Sequence, residues 1–227
     1  MTDESGLDLL GAGKLAKAIP AKAWTQVVDT ACTTFTSAIA PFTSTTGGIG
    51  RLITAKFDRL VEAEKLLASQ TMARATEKVA KSNRLPNGKA KANIVIAAIE
   101  SSATETDGVL RELWSNLLAQ EIVTGSVHPE FPKILSRLSS HDAQILAQIA
   151  EREGDKSIEL KQAIKRFSAS ISILGTTVSI LNPDEEGSFT HEHLANLNLI
   201  KRKDGIWILT LIGTAFIQSV TDSWDGD

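Results

Sequence analysis

The chain has 227 residues, 42% hydrophobic and 22% charged, which excludes a wholly disordered polypeptide and is enough to bury a core in one large domain or two small ones. A net charge of −3 and a pI near 5.9 exclude a global attraction to nucleic acid or anionic lipid, so any such contact needs a local basic patch. A single cysteine, Cys32, excludes an intramolecular disulfide and fits a reducing compartment.

The opening "MTDESGLDLL" is acidic where a secretory leader is basic, so the expected address is the cytoplasm. Leu7, Leu10, Leu15 and Ile19 predict a short helix over 7–19 that Pro20 stops or kinks. A second helix is expected from Ala21 to Ala40. Residues 23–50 carry Asp29 as their only charge, but threonines, Gln26 and Pro41 make them a poor bilayer span, which needs about 20 apolar residues. The stretch reads as a helix buried between others. The sharper alternative is a segment that lies on a membrane, against which stands the missing basic face of an interfacial helix.

The cluster "TSTTGG" at 43–48 predicts a loop. Beyond it Leu52, Ile53, Phe57, Leu60, Val61, Leu66, Leu67 and Val79 recur at helical spacing, predicting one long solvated helix from Ile49 to about Ser82. Ten basic residues against five acids between Gly47 and Glu100 give a local surplus of 5, read as the polar side of that helix; Phe57, the lone aromatic there, lies on the apolar stripe. "SNRLPNGK" predicts a turn.

Ile94 to Ile99 continue in a further helix. Ser and Thr at 101, 102, 104 and 106, with Glu105 and Asp107, mark a break and a new helix start, because their oxygens accept from first-turn amides. Leu110, Leu113, Trp114, Leu117 and Leu118 then form one wide apolar stripe, with Trp114 as a core anchor. Asp107 and Arg111 are spaced for a helical ion pair. Pro129 and Pro132 predict the start of a short helix, and Ser139 with Asp142 has capping-box spacing.

After Ser136 the pattern changes. Helices are expected over 141–153 and 157–167. In "SASISILGTTVSIL" (168–181) the alternation of Ile171 and Ile173, then of Val178 and Ile180, suggests two short strands, with a helical continuation as the alternative. "SFTHEHLANLNLI" predicts a short helix, "LIKRKDGIWIL" a hairpin turning at Asp204-Gly205, and Thr210 a cap for a last helix through about Ser223. The expected fold is mainly α: a helical domain over 1–135, then an α+β domain with a small hairpin over 136–227. The second resembles a winged helix, most clearly in "LANLNLIKRKDGIWILTLIG".

Chemistry is scarce. His191 and His193 form "HEH", but on a helix residues two apart do not face one site, and no cysteine or paired carboxylate completes a tetrahedron. Gly11, Gly13 and Lys14 lack the spacing of a phosphate-binding loop. No nucleophile motif or base accompanies the serines or Cys32. No catalytic, cofactor, metal or small-molecule site is expected. Winged helices commonly bind DNA, yet residues 136–227 carry nine basic against thirteen acidic side chains. Their only basic cluster is Lys201, Arg202 and Lys203, the candidate nucleic-acid contact; the balance favours protein contacts or self-association.

Residues 105–146, "ETDGVLRELWSNLLAQEIVTGSVHPEFPKILSRLSSHDAQIL", resemble the Abi-alpha family, a bacterial family associated by name with abortive infection. The resemblance is carried by Glu105, Asp107, Leu110, Trp114, Leu117, Leu118, Ala119, Val127, Pro129, Phe131, Ile134, Leu135, Leu138, Ser139, Asp142 and Ala143. Ser115 departs from the more usual Ala. The "GLDLLGAGKLAKAIP" start and the Leu-Thr-x-x-Gly ending are similar too. Membership implies a role in defence against phage and supplies no catalytic residue. The resulting expectation is a non-enzymatic defence protein working through protein contacts or assembly. Its rivals are a membrane effector using residues 7–50, peripheral to the inner membrane, and a DNA-binding regulator using the hairpin.

Overall fold

The structure, a computed structural model, describes residues 21–39, 48–82, 90–152, 158–174 and 189–221. The helix expected over 7–19 lies outside them. The first described helix, α1 (Ala21–Ile39), turns Val28, Cys32 and Phe35 inward at helical spacing, while Gln26, Asp29, Thr30, Thr33, Thr34 and Ser37 face solvent. It is therefore amphipathic rather than buried between other helices. Thr30 and Thr36 donate their hydroxyls to carbonyls four residues back, which keeps the threonines compatible with a helix.

The long helix expected over 49–82 is two helices. α2 (Gly48–Phe57) ends where the hydrogen bonding tightens: the amides of Arg59 and Leu60 donate three residues back, to Lys56 and Phe57. Val61 is extended and its amide donates to the Glu64 carboxylate at 3.0 Å, which opens α3 (Glu62–Lys81). The break lets both pieces pack on α1. It leaves Leu52 and Val61 exposed, and α3 buries Ala68, Met72 and Ala75 instead of the expected leucines.

α4 (Ala92–Ser102) and α5 (Gly108–Thr124) follow, separated by the break read from Ser, Thr, Glu105 and Asp107. α5 is the centre of the molecule. It contacts α3 and α4 on one side and the C-terminal helices on the other, and Leu113, Trp114, Leu117 and Leu118 are at most 1% exposed. Gly125, in the left-handed region at φ 60°, ends it. The short α6 (Phe131–Leu135) has Pro132 in its first turn.

α7 (Ser140–Arg152) packs on α8 (Ile158–Leu174). α8 runs seven residues past the helix expected there, so Ile171 is helical, not in a strand. It continues the buried stripe of Ile164 and Phe167 at spacings of three and four, a period that no strand can bury on one face. The second expected strand, around Val178 and Ile180, lies outside the described residues. α9 (Phe189–Asn196) leads into the hairpin of β1 (Ile200–Lys203) and β2 (Ile206–Leu209). The strands are antiparallel, pairing Ile200 with Leu209 and Arg202 with Trp207. Asp204 (φ 52°) and Gly205 (φ 80°) make the turn, both left-handed as a two-residue hairpin requires. Thr210 caps α10 (Leu211–Ser219), accepting from the Gly213 amide at 2.9 Å. The last helix thus stops short of Ser223, with Val220 as its C-cap. The molecule is mainly helical, and the described buried apolar side chains, Ala90 and Val123 apart, form one cluster running from Val28 to Val220.

Candidate functional site

The segment 105–143 is built by local hydrogen bonds around a buried helix. Asp107 accepts from the amides of Val109 (2.8 Å) and Leu110 (3.1 Å), and Glu105 accepts from the Asp107 amide (2.9 Å). Burial pushes the Glu105 carboxyl above its ordinary pKa, against the pull of the Asp107 amide. The Asp107 charge favours the Arg111 cation, as their spacing leads one to expect, while Arg111 donates its hydrogen bond to Gln70 on α3 at 2.6 Å. Burial, then the neighbouring Arg74, lowers the Arg111 pKa. Leu110, Trp114, Leu117 and Leu118 lie in the core, as do Leu135 and Leu138.

Sequence reasoning missed Glu121. It is 0% exposed and clamps two distant backbone segments, accepting from the amides of Lys91 (2.6 Å) and Val127 (3.1 Å). The Lys91 ammonium lies 3.8 Å from the carboxylate and donates to the Val127 carbonyl at 2.7 Å. Burial raises the Glu121 pKa, opposed by the Lys91 amide and charge and by the Val127 amide. The signal was its place on the stripe, three and four residues after Leu118 and Leu117, where an acid has to find a partner. Asn116, equally buried, donates Nδ2–H to the Val220 carbonyl at 2.9 Å, tying α5 to the end of α10.

The clamp fixes the chain that leads into α6. His128 Nδ1 accepts from the Glu130 amide, Pro129 is exposed, and Phe131 meets Phe216 of α10 edge to face, with ring centroids 5.7 Å apart. At the far end of α6, Asp142 accepts from the Ser139 amide (2.8 Å) and the Ser139 hydroxyl accepts from the Asp142 amide (3.1 Å), a reciprocal capping box. Between α6, the end of α9 and the start of α10 lies a half-open groove of about 620 Å³. Phe131, Ile134, Leu197 and Ala215 give it an apolar lining, Glu130 and Arg137 stand at its α6 edge, and Leu211 and Ile212 form the opposite lip. Leu211 is 90% exposed and Ile212 45%. Nothing in the sequence marked this groove, because three separate segments make it.

The remaining candidates are dispersed. His191 is buried against Trp207 (ring centroids 5.6 Å apart), while His193 stacks on Phe189 and bonds to the Arg137 carbonyl through Nε2. The two rings have different neighbours, and among the described residues no group of three or more His, Cys, Asp or Glu is placed to hold a metal ion. Burial, then Asp58 and Asp29, pushes the Cys32 thiol up, away from the reactive thiolate. Lys201, Arg202 and Lys203 are all exposed on β1, with Lys201 and Lys203 on one face and Arg202 on the other beside Trp207. Among the described residues no helix is long and apolar enough to cross a membrane.

Residues 62–216 match the sequence profile of a family described as abortive infection alpha. No curated protein and no solved structure matches the chain. The matched region covers more than half of the chain and takes in α3 through most of α10, including the Asp107 cap, the Trp114 stripe, the Glu121 clamp and both walls of the groove. The chain therefore belongs to the abortive infection alpha family.

Proposed function

We propose that the protein acts in bacterial defence against phage, of the abortive-infection type, as a non-enzymatic cytoplasmic protein that works through protein contacts or assembly. The family match over residues 62–216 carries this reading. The polar side chains of the motif support it, since Asp107, Glu121, Ser139 and Asp142 spend their oxygens on backbone amides. In this reading residues 1–135 form a helical domain and 136–227 a winged-helix-like one, with the groove at their junction as the contact surface. The test is phage plating on a host carrying the gene with its neighbours. A drop in plating efficiency for at least one phage of a broad panel is expected, and unchanged plating across the panel overturns the reading.

A second reading, DNA binding, draws on the exposure of Lys201, Arg202 and Lys203. Against it, α9 carries Glu192 and no Lys or Arg, so little phosphate neutralisation accompanies the hairpin. A salt-dependent shift of duplex DNA that disappears on replacing the three basic residues with Ala would establish it.

A further inference from the structure

The groove and its lip have the form of a self-complementary surface. Leu211, 90% exposed at the first position of α10, is a projecting apolar knob, and the lining of Phe131, Ile134 and Ala215 beside it is a hole. Knob and hole on one face are what a two-fold interface needs, because each copy then offers both to the other. The charges flanking α6 at its two ends have the same property. Glu130, the N-cap of the helix, and Arg137, two residues beyond its end, both border the groove, with Ile134 between them in the chain. Placed antiparallel across an axis near Ile134, each Glu130 meets the other copy's Arg137. Lys133, which pairs with Glu130 at 2.8 Å, does not line the groove, and an exposed pair of that kind holds Glu130 only weakly. Phe189, 82% exposed and stacked on His193 next to Arg137, extends the apolar surface beyond the groove.

We propose that this groove is the interface of a symmetric dimer, occupied by a second copy of the same chain, with Leu211 of each copy seated against Phe131 and Ile134 of the other and Glu130 paired with Arg137 across the axis. This rests on the reading that the protein works through contacts or assembly, and names the partner and the surface.

The test is sedimentation velocity of the full chain over a concentration series reaching tens of micromolar. A concentration-dependent dimer is expected. Leu211→Glu, at a position too exposed to unfold the protein, weakens association at least about thirtyfold, since a buried anchor is lost twice in a two-fold interface. Glu130→Arg and Arg137→Glu each weaken it about tenfold or more by setting like charges against each other. Mixing these two variants restores a dimer, because both contacts in the mixed species are then between opposite charges. A wild-type monomer throughout the series overturns the proposal, as does a dimer indifferent to Leu211→Glu or a mixture that stays monomeric. Phage plating separates the two readings. A monomer that still restricts phage overturns the dimer alone, and a dimer without any effect on plating overturns the defence role alone.

Discussion

Glu121 places a carboxylate among the buried, mostly apolar side chains of α5. The Lys91 and Val127 amides both donate to this carboxylate, so truncation strands them in a buried setting. Glu121→Ala is therefore expected to cost about 3 kcal/mol in denaturant unfolding. Burial raises the folded pKa, so the folded protein binds the Glu121 proton more tightly than the unfolded chain. Stability from this group therefore falls as pH rises from the ordinary glutamate value, about 4.3, through the folded value. Glu121→Gln removes that titration, and its stability curve should be flatter than the wild type's over this window; an unchanged slope would place the dependence elsewhere. Single residues were legible in the sequence where the partner is near. Asp107 and Ser139 with Asp142 act over two or three positions, whereas the Glu121 clamp reaches Lys91, thirty residues away. Spacing along one helix likewise does not reveal that Arg111 takes Gln70 of α3, forty-one residues away, as its hydrogen-bond partner.

At the scale of elements, the Leu-Thr-x-x-Gly ending acquires a physical reason. Thr210 caps α10 through the Gly213 amide, and its own amide donates to the Leu199 carbonyl at 3.0 Å, drawing the helix start against the end of the α9 segment. A Cβ on Gly213 would lie 2.0 Å from the Leu199 carbonyl oxygen, which is backbone and has no rotamer to yield. Gly213→Ala is thus expected to destabilise by about 3 kcal/mol despite the better helix propensity of Ala, with the loss visible in thermal unfolding; a stabilised variant would refute the close approach. The hairpin was legible for a similar reason, since Asp204-Gly205 is the turn its backbone demands. Two elements were not. The stop between α2 and α3 contains neither Gly nor Pro and depends on Glu64 reaching back to Val61, and Ile171 belongs to a stripe whose helical period shows only when Ile164 and Phe167 are seen buried beside it.

Over the whole molecule, the question is whether the two proposed domains, 1–135 and 136–227, unfold apart. Their seam is a set of contacts no single element owns: Phe131 on Phe216, Asn116 on the Val220 carbonyl, and α5 packed against α8 and α10. The buried side chains on either side form one cluster, so opening the seam exposes apolar surface on both halves at once. Cooperativity follows: calorimetry of the full chain should give one transition with matching calorimetric and van't Hoff enthalpies. Phe216→Ala removes the ring that meets Phe131 and is expected to cost about 3–5 kcal/mol, lowering the midpoint by roughly 6–20 °C for a chain of this size. The decisive feature is shape rather than size. If the seam couples the halves, the variant's single transition moves down intact; if each half is stable alone, the same substitution splits the trace into two transitions and the shared core is not what holds the molecule together.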